Sequence, residues 1–206
     1  MKIKLNNIGK RFNREWIFRK VDFQLESNKV YGVIGPNGSG KSSLLKLISQ
    51  AEIPSEGKIE FSLNEKEISS ESAYNYLSIA APYTDVAEQL TLGEFLNFHL
   101  NFSPLKNGLS KSEFLQTIYL EDSINKQISF FSSGMKQRLK LGLALLSQKP
   151  LVILDEPSSN LDEKGIELYQ QMLKENSRER IILIGSNEEQ KELQIADQKI
   201  NITNYK

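Results

Sequence analysis

At 206 residues, with 39% hydrophobic and 25% charged residues, the chain has the size and composition of one large folded domain, or one domain with a small inserted part. Its 26 basic and 26 acidic residues cancel, so no broad field draws it toward nucleic acid or an acidic membrane surface. Lack of cysteine excludes disulfides and thiolate metal sites, the single histidine (His99) excludes a His-only metal cluster, and no apolar run reaches the ~18–20 residues of a membrane-spanning helix. The opening Met1-Lys2-Ile3-Lys4-Leu5-Asn6 alternates like a strand and has no signal-peptide core. A cytosolic protein is expected, with any membrane part supplied by a separate chain.

Residues 1–34 are predicted to be β-rich, because Ile3 and Leu5, then Val21, Phe23 and Leu25, fall at the period-two spacing of half-buried strands. Between them a polar loop carries two large aromatics, Phe12 and Trp16. Either could stack on a base or simply cover the sheet edge, and composition favours the cover. Residues 30–34 form a short apolar strand, residues 35–43 a glycine-rich loop, and residues 44–48 open a helix. Ile53 to Gly57 reads as a turn, residues 58–63 as an alternating strand and residues 64–75 as a polar loop. Residues 76–81 make a strand stopped by Pro82.

Composition then changes. Leu92, Phe95, Leu96 and Leu100, followed by Phe114, Leu115, Ile118 and Tyr119, take helical spacing. Ser103-Pro104 and Asn107-Gly108 divide them, so residues 84–131 are expected to form a mostly helical insertion. The Phe95, Phe98, Phe102 spacing reads as core, and His99 as a packed or surface residue rather than a ligand. Residues 135–147 are predicted to be an amphipathic helix with Met135, Leu139, Leu143 and Leu146 on one face. Four aliphatics, residues 151–154, run into Asp155-Glu156-Pro157 as a buried parallel strand would. Leu161-Asp162 begins another helix, residues 181–184 form a further buried strand ending at Asn187, and a last strand lies around residue 199. Strands alternating with helices predict an α/β fold built on a mainly parallel sheet.

The loop Gly35-Pro36-Asn37-Gly38-Ser39-Gly40-Lys41-Ser42-Ser43 has the pattern G-x-x-x-x-G-K-S between a strand and a helix. Its glycines let successive backbone N–H groups face an anion, and the helix N-terminus points its positive end to the same place. Lys41 supplies charge for the outer phosphates of a nucleoside triphosphate, and the Ser42 hydroxyl suits Mg²⁺. At the end of the 151–154 strand, Asp155 suits the same ion and Glu156 an attacking water. A plain N-cap pair is the alternative at those two positions. The stretch Phe131-Ser132-Ser133-Gly134-Met135 is either an ordinary helix cap or a second anion site.

The order of these features, a phosphate loop, a helical insertion, FSSGMKQR and then LVILDEPSSNLD, resembles the ATP-binding cassette (ABC) ATPases over nearly the whole chain. The resemblance implies a P-loop NTPase-type fold: a mainly parallel sheet with an antiparallel β edge, residues 1–83 and 132–206 forming the core and 84–131 a helical subdomain. It implies ATP and Mg²⁺ as cofactors, with Gly35, Asn37, Gly38, Ser39, Gly40, Lys41, Ser42 and Ser43 on the phosphates, and Ser42 and Asp155 on the metal. Glu156 would be the general base, Lys41 and Asn187 would complete the catalytic set, with Asn187 able to hydrogen-bond a γ-phosphate, and Phe12 would stack on adenine with Trp16 in reserve. Ser132, Ser133 and Gly134 would meet the γ-phosphate held by a second ABC subunit, identical or not, across a head-to-tail dimer, while residues 159–162 join the two sites. A separately encoded transmembrane permease and a place on the cytoplasmic face of the membrane follow, with no nucleic acid partner. A soluble cassette that regulates a cytosolic complex, or a nucleotide-gated clamp with weak hydrolysis, is the alternative. Three features depart from the family pattern. Phe131, Ser133 and Met135 replace three of the five signature residues, Ala81-Pro82 stands where a lid glutamine is expected, and Asn187 replaces a histidine. A slower ATPase, with little pH dependence from position 187, is the expectation.

Overall fold

The computed structural model describes residues 1–187 and 192–206. Two sheets organise it. The first is antiparallel, in the order β2-β1-β4-β5, made of β1 (Lys2–Phe12), β2 (Glu15–Glu26), β4 (Glu56–Leu63) and β5 (Lys66–Ile68). The second is in the order β6-β7-β8-β3-β9, with β3 (Lys29–Ile34), β6 (Leu77–Ala80), β7 (Leu151–Asp155), β8 (Ile181–Ser186) and β9 (Gln198–Asn201), all neighbours parallel.

Alternation along the parallel strands divides the core in two. Val152, Leu154, Ile182 and Ile184 face one hydrophobic layer, with residues of α4 (Ser133–Leu145), α5 (Glu163–Asn176) and the segment 92–131. Leu151, Ile153, Ile181 and Leu183 face the other, with α1 (Lys41–Ile48) and the inner face of the antiparallel sheet. Such continuous aliphatic strands belong inside a sheet covered on both faces. The register brings three strand ends to one level. Ile34 pairs with Ser186 and Asp155 with Gly185, so the phosphate loop, Glu156 and Asn187 all leave the same carboxyl edge of the sheet.

Several expectations change. Residues 64–75 are not simply loop: β5 adds to β4, its Ile68 buried, and Ser70–Tyr76 forms a 3-10 turn. In the segment 84–131 only α2 (Leu92–His99) and α3 (Lys111–Thr117) are α-helical, and the rest is 3-10 turns and loops. Both helices open on a reciprocal capping box, Thr91 with Glu94 and Ser110 with Glu113. Phe98 and Phe102 are 61% and 68% exposed and pack on each other, so of that spacing only Phe95 enters the core. Helix α4 starts two residues earlier than predicted and is buried on both faces in its second half, where Leu141 and Leu145 are covered as well as Leu139 and Leu143. It approaches α3 closely at Gly142, where a Cβ would lie 2.6 Å from Ile118 Cγ2.

Candidate functional site

The loop between β3 and α1 is shaped by its glycines. Gly40 caps α1 at φ 107°, and a Cβ there would lie 2.6 Å from Ile17 Cγ2 and 2.9 Å from the Phe18 ring, so only glycine lets β2 rest on the loop. No side chain caps the first turn of α1. Its opening N–H groups therefore point, unsatisfied by a cap, to where an anion would sit. Lys41 is 5% exposed, and its Nζ donates to the carbonyls of Gly35 (2.9 Å) and Pro36 (3.2 Å), which lays the ammonium along the loop. Asn37 and Gly38 are exposed at the crest, Ser42 and Ser43 are half-buried at the helix start, and Ser39 is buried. A cavity of about 300 Å³ beside the loop is lined by Gly35, Pro36, Asn37, Ser186, Asn187 and Asn201, among others.

Asp155 ends β7 at 1% exposure, and its Oδ1 is buried without a hydrogen-bond partner. Burial pushes its carboxyl above the usual range, and the Ser42 hydroxyl pulls it partly back. An orphaned buried carboxylate oxygen beside a serine hydroxyl is a hard oxygen donor pair that fits Mg²⁺, an ion that takes few protein ligands and keeps waters and phosphate oxygens. Among the described residues no group of three or more His, Cys, Asp or Glu offers an all-protein cage.

Glu156 follows at φ 49°, a left-handed conformation unusual for glutamate, and its N–H donates to Gly185 O at 2.8 Å. Asn187 Nδ2 donates to Glu156 Oε1 at 3.0 Å. The two residues singled out separately in the sequence thus touch.

The early part of β2 lies next to the loop through Ile17 and Phe18. Phe12 is 52% exposed, with Lys10 Nζ 5.2 Å from its ring centre. Trp16 carries the guanidinium groups of Arg19 (4.1 Å) and Arg11 (5.6 Å) over its ring. Both rings thus carry cations, and Phe12 is the more exposed of the two, 52% against 38%.

Ser132, Ser133 and Gly134 lie at the start of α4. Ser132 caps α4, its Oγ accepting from Met135 N at 3.2 Å, and with Ser133 it is exposed. None of the three lines the cavity beside the phosphate loop.

At the lid position stand Ala81 and Pro82. Ala81 O is held by Thr84 Oγ1 (2.8 Å) and Lys140 Nζ (3.2 Å), and the next aromatic, Tyr83, lies under Lys46 Nζ at 4.6 Å. Burial first, then the charges of Asp155 and Glu52, push its phenol up. Gln89 is exposed, its carbonyl taken by Gln127. His99 stacks on Phe95 in a groove of about 460 Å³ that it shares with Asp85, Lys140 and Lys149, and burial lowers its pKa.

Two buried groups escape a reading of the sequence. Gln137 Nε2 donates to Pro157 O at 2.9 Å, and Glu192 Oε1 accepts from Ser158 N and Oγ. Gln137 sits among the lysines and arginines of FSSGMKQR and Glu192 in the polar run after Asn187, where nothing in composition signals burial.

Comparison with known proteins agrees with this geometry. The sequence model of the ABC transporter family matches residues 18–159. An uncharacterized ABC transporter ATP-binding protein of Bacillus subtilis, YcbN, is 30% identical over 187 residues, covering 90% of this chain and 61% of its own length. The bacitracin transport ATP-binding protein BcrA of Enterococcus faecalis is 31% identical, covering 95% of this chain and 64% of its own length. The chain thus spans less than two thirds of either relative. A solved ATP-binding subunit of an ABC transporter shares the fold at a TM-score of 0.82 and 24% identity, covering 98% of this chain and 87% of that one.

Proposed function

Because the chain belongs to the ABC transporter family of ATP-binding cassette ATPases, we propose that it is the ATP-binding and ATP-hydrolysing subunit of a transporter, closing as a dimer over ATP at the cytoplasmic face of a membrane. No helix among the described residues is long and apolar enough to cross a membrane, so in this reading a permease of other residues does so. The observation that carries the proposal is the shared level of three strand ends, which puts the phosphate loop, the Asp155-Glu156 pair and Asn187 along one edge.

In this reading Lys41 and the N–H groups from Gly35 to Ser43 hold the phosphates, and Phe12 stacks on the adenine. Ser42 and Asp155 hold Mg²⁺, which when bound neutralises phosphate charge. Glu156 orients a water toward the γ-phosphorus and accepts its proton as the bond to the ADP oxygen breaks. Asn187 steadies that carboxylate at 3.0 Å and, lacking charge, gives the γ-phosphate less help than a cation would, which supports slow turnover. The exposed Ser132 and Ser133 and the half-buried Gly134 do not line the nucleotide cavity of their own chain, which supports their use by a second copy.

The test is Glu156→Gln. Turnover is expected to fall by about 10²-fold or more, with ATP binding kept and Mg·ATP shifting the protein from monomer to dimer on a sizing column. A variant that hydrolyses ATP at the wild-type rate, or stays monomeric with ATP bound, defeats the reading. Co-purification of a polytopic membrane protein from detergent extract is expected; a soluble complex in its place would support regulation of a cytosolic partner.

A further inference from the structure

The turn after Glu156 is tied down by buried polar groups. Ser158, two residues on, directs both its N–H (2.8 Å) and its Oγ–H (2.6 Å) to Oε1 of Glu192, a carboxyl only 3% exposed. The backbone of Glu192 is itself fixed, because its carbonyl accepts from the buried Tyr169 hydroxyl of α5 at 3.1 Å. On the other side Pro157 O takes Gln137 Nε2 from α4, and the start of α4 approaches the same turn, where a Cβ on Gly134 would lie 3.1 Å from Asn160 O. Glu192, Glu156, Ser158 and Asn187 line one cavity of about 310 Å³.

A carboxyl group is a costly thing to bury where an apolar side chain would pack. Here it accepts from both donors of one residue in the turn that carries Glu156, whose own φ of 49° needs its surroundings to hold it. We propose that Glu192 is a positioning residue for ATP cleavage: its grip on Ser158 fixes the backbone from which Glu156 is aimed, so its loss slows the chemical step without weakening ATP binding. The inference rests on Glu156 as the general base. It adds a residue that touches neither nucleotide nor metal in that reading.

The experiment compares purified wild-type protein with Glu192→Ala, Glu192→Gln, Ser158→Ala and the Ser158→Ala/Glu192→Ala pair, reading kcat, KM for ATP, equilibrium ATP binding and thermal midpoint. Glu192→Ala is expected to lower kcat by about tenfold or more, with KM and ATP affinity within about twofold of wild type. Glu192→Gln keeps a carbonyl acceptor for both Ser158 donors and is expected to restore most of kcat. The double variant is expected to be no slower than Glu192→Ala alone, since both changes remove one interaction. Wild-type kcat in Glu192→Ala, a glutamine variant as slow as the alanine one, or additive losses in the pair each overturn the proposal. If Glu192→Ala does not fold, Ser158→Ala decides: a kcat loss of about threefold at unchanged KM supports the grip, and no loss overturns it. Should Glu156→Gln retain turnover, the general-base reading fails; should Glu156→Gln be inactive and Glu192→Ala normal, only this inference does.

Discussion

Asn187 and Glu156 meet through one hydrogen bond of 3.0 Å at an exposed position, so its contribution is modest, about 1 kcal/mol, or roughly fivefold in rate if it acts in the transition state. Asn187→Ala is therefore expected to lower kcat by about fivefold, and Asn187→Asp by more, because a like charge would push the Glu156 carboxylate away. Asn187→His is expected to exceed the wild-type rate, since it can carry charge toward the γ-phosphate. Steady-state assays at saturating ATP check the order His, Asn, Ala, Asp; equal rates for histidine and asparagine would make the substitution immaterial. At this scale the sequence was most readable where chemistry forces residue type. The glycine-rich loop lies between β3 and α1 and Asp155 ends β7 behind four aliphatics, the strand and helix positions their spacing predicted. Glu192 and Gln137 were not readable, because burial of a polar group is decided by which distant segment folds over it. Phe98 and Phe102 misled for the opposite reason, since helical spacing says which residues share a face, not whether anything covers that face.

Helix α4 shows the same limits one level up. Its start was placed two residues late although Ser132 is a good N-cap, and its two buried faces were not legible, because the half-buried Lys136, Arg138 and Lys140 break the apolar pattern. Strand β5 was missed because three residues with one buried side chain, Ile68, carry too little periodicity. The far end of α4 depends on a residue no helix signal names. Arg180, 7% exposed at the head of β8, donates from Nη1 to Leu145 O at 2.7 Å and from Nη2 to Ser147 O, with burial lowering its pKa. It thus satisfies carbonyls that a helix end leaves open, and its charge opposes the negative end of the dipole. Arg180→Ala strands two buried acceptors, so a loss of about 3 kcal/mol is expected. Arg180→Lys, with a point charge in place of a planar fork, is expected to recover only part of it. Urea midpoints measure both, and ATPase activity per folded molecule is expected to stay at the wild-type value.

The molecule as a whole hangs on the parallel sheet. Each of β7 and β8 sends alternate residues into both hydrophobic layers, so neither layer can be lost without exposing the other's strands. The segment 84–131 belongs to this arrangement. Leu92, Leu96, Phe114 and Ile118 are buried in one cluster with Val152 and Leu154, and Gly142 of α4 is closed by Ile118 and Phe114. A helical insertion held this way is expected to unfold with the rest, as one cooperative unit. Two probes see different parts. The only tryptophan, Trp16, stands at the antiparallel hairpin under Arg19, whereas far-UV circular dichroism is dominated by α4, α5 and the shorter helices. Thermal melts followed by the two signals are expected to coincide, with Mg·ATP raising both midpoints together. At a nucleotide concentration a hundredfold above Kd that stabilisation amounts to about 2.7 kcal/mol. Leu154→Ala and Leu183→Ala, on opposite faces of the sheet, are each expected to cost about 2–5 kcal/mol and to shift both signals equally. A dichroism step that precedes the tryptophan transition, and that Leu154→Ala advances while Leu183→Ala does not, would instead make the 84–131 layer a unit that opens on its own.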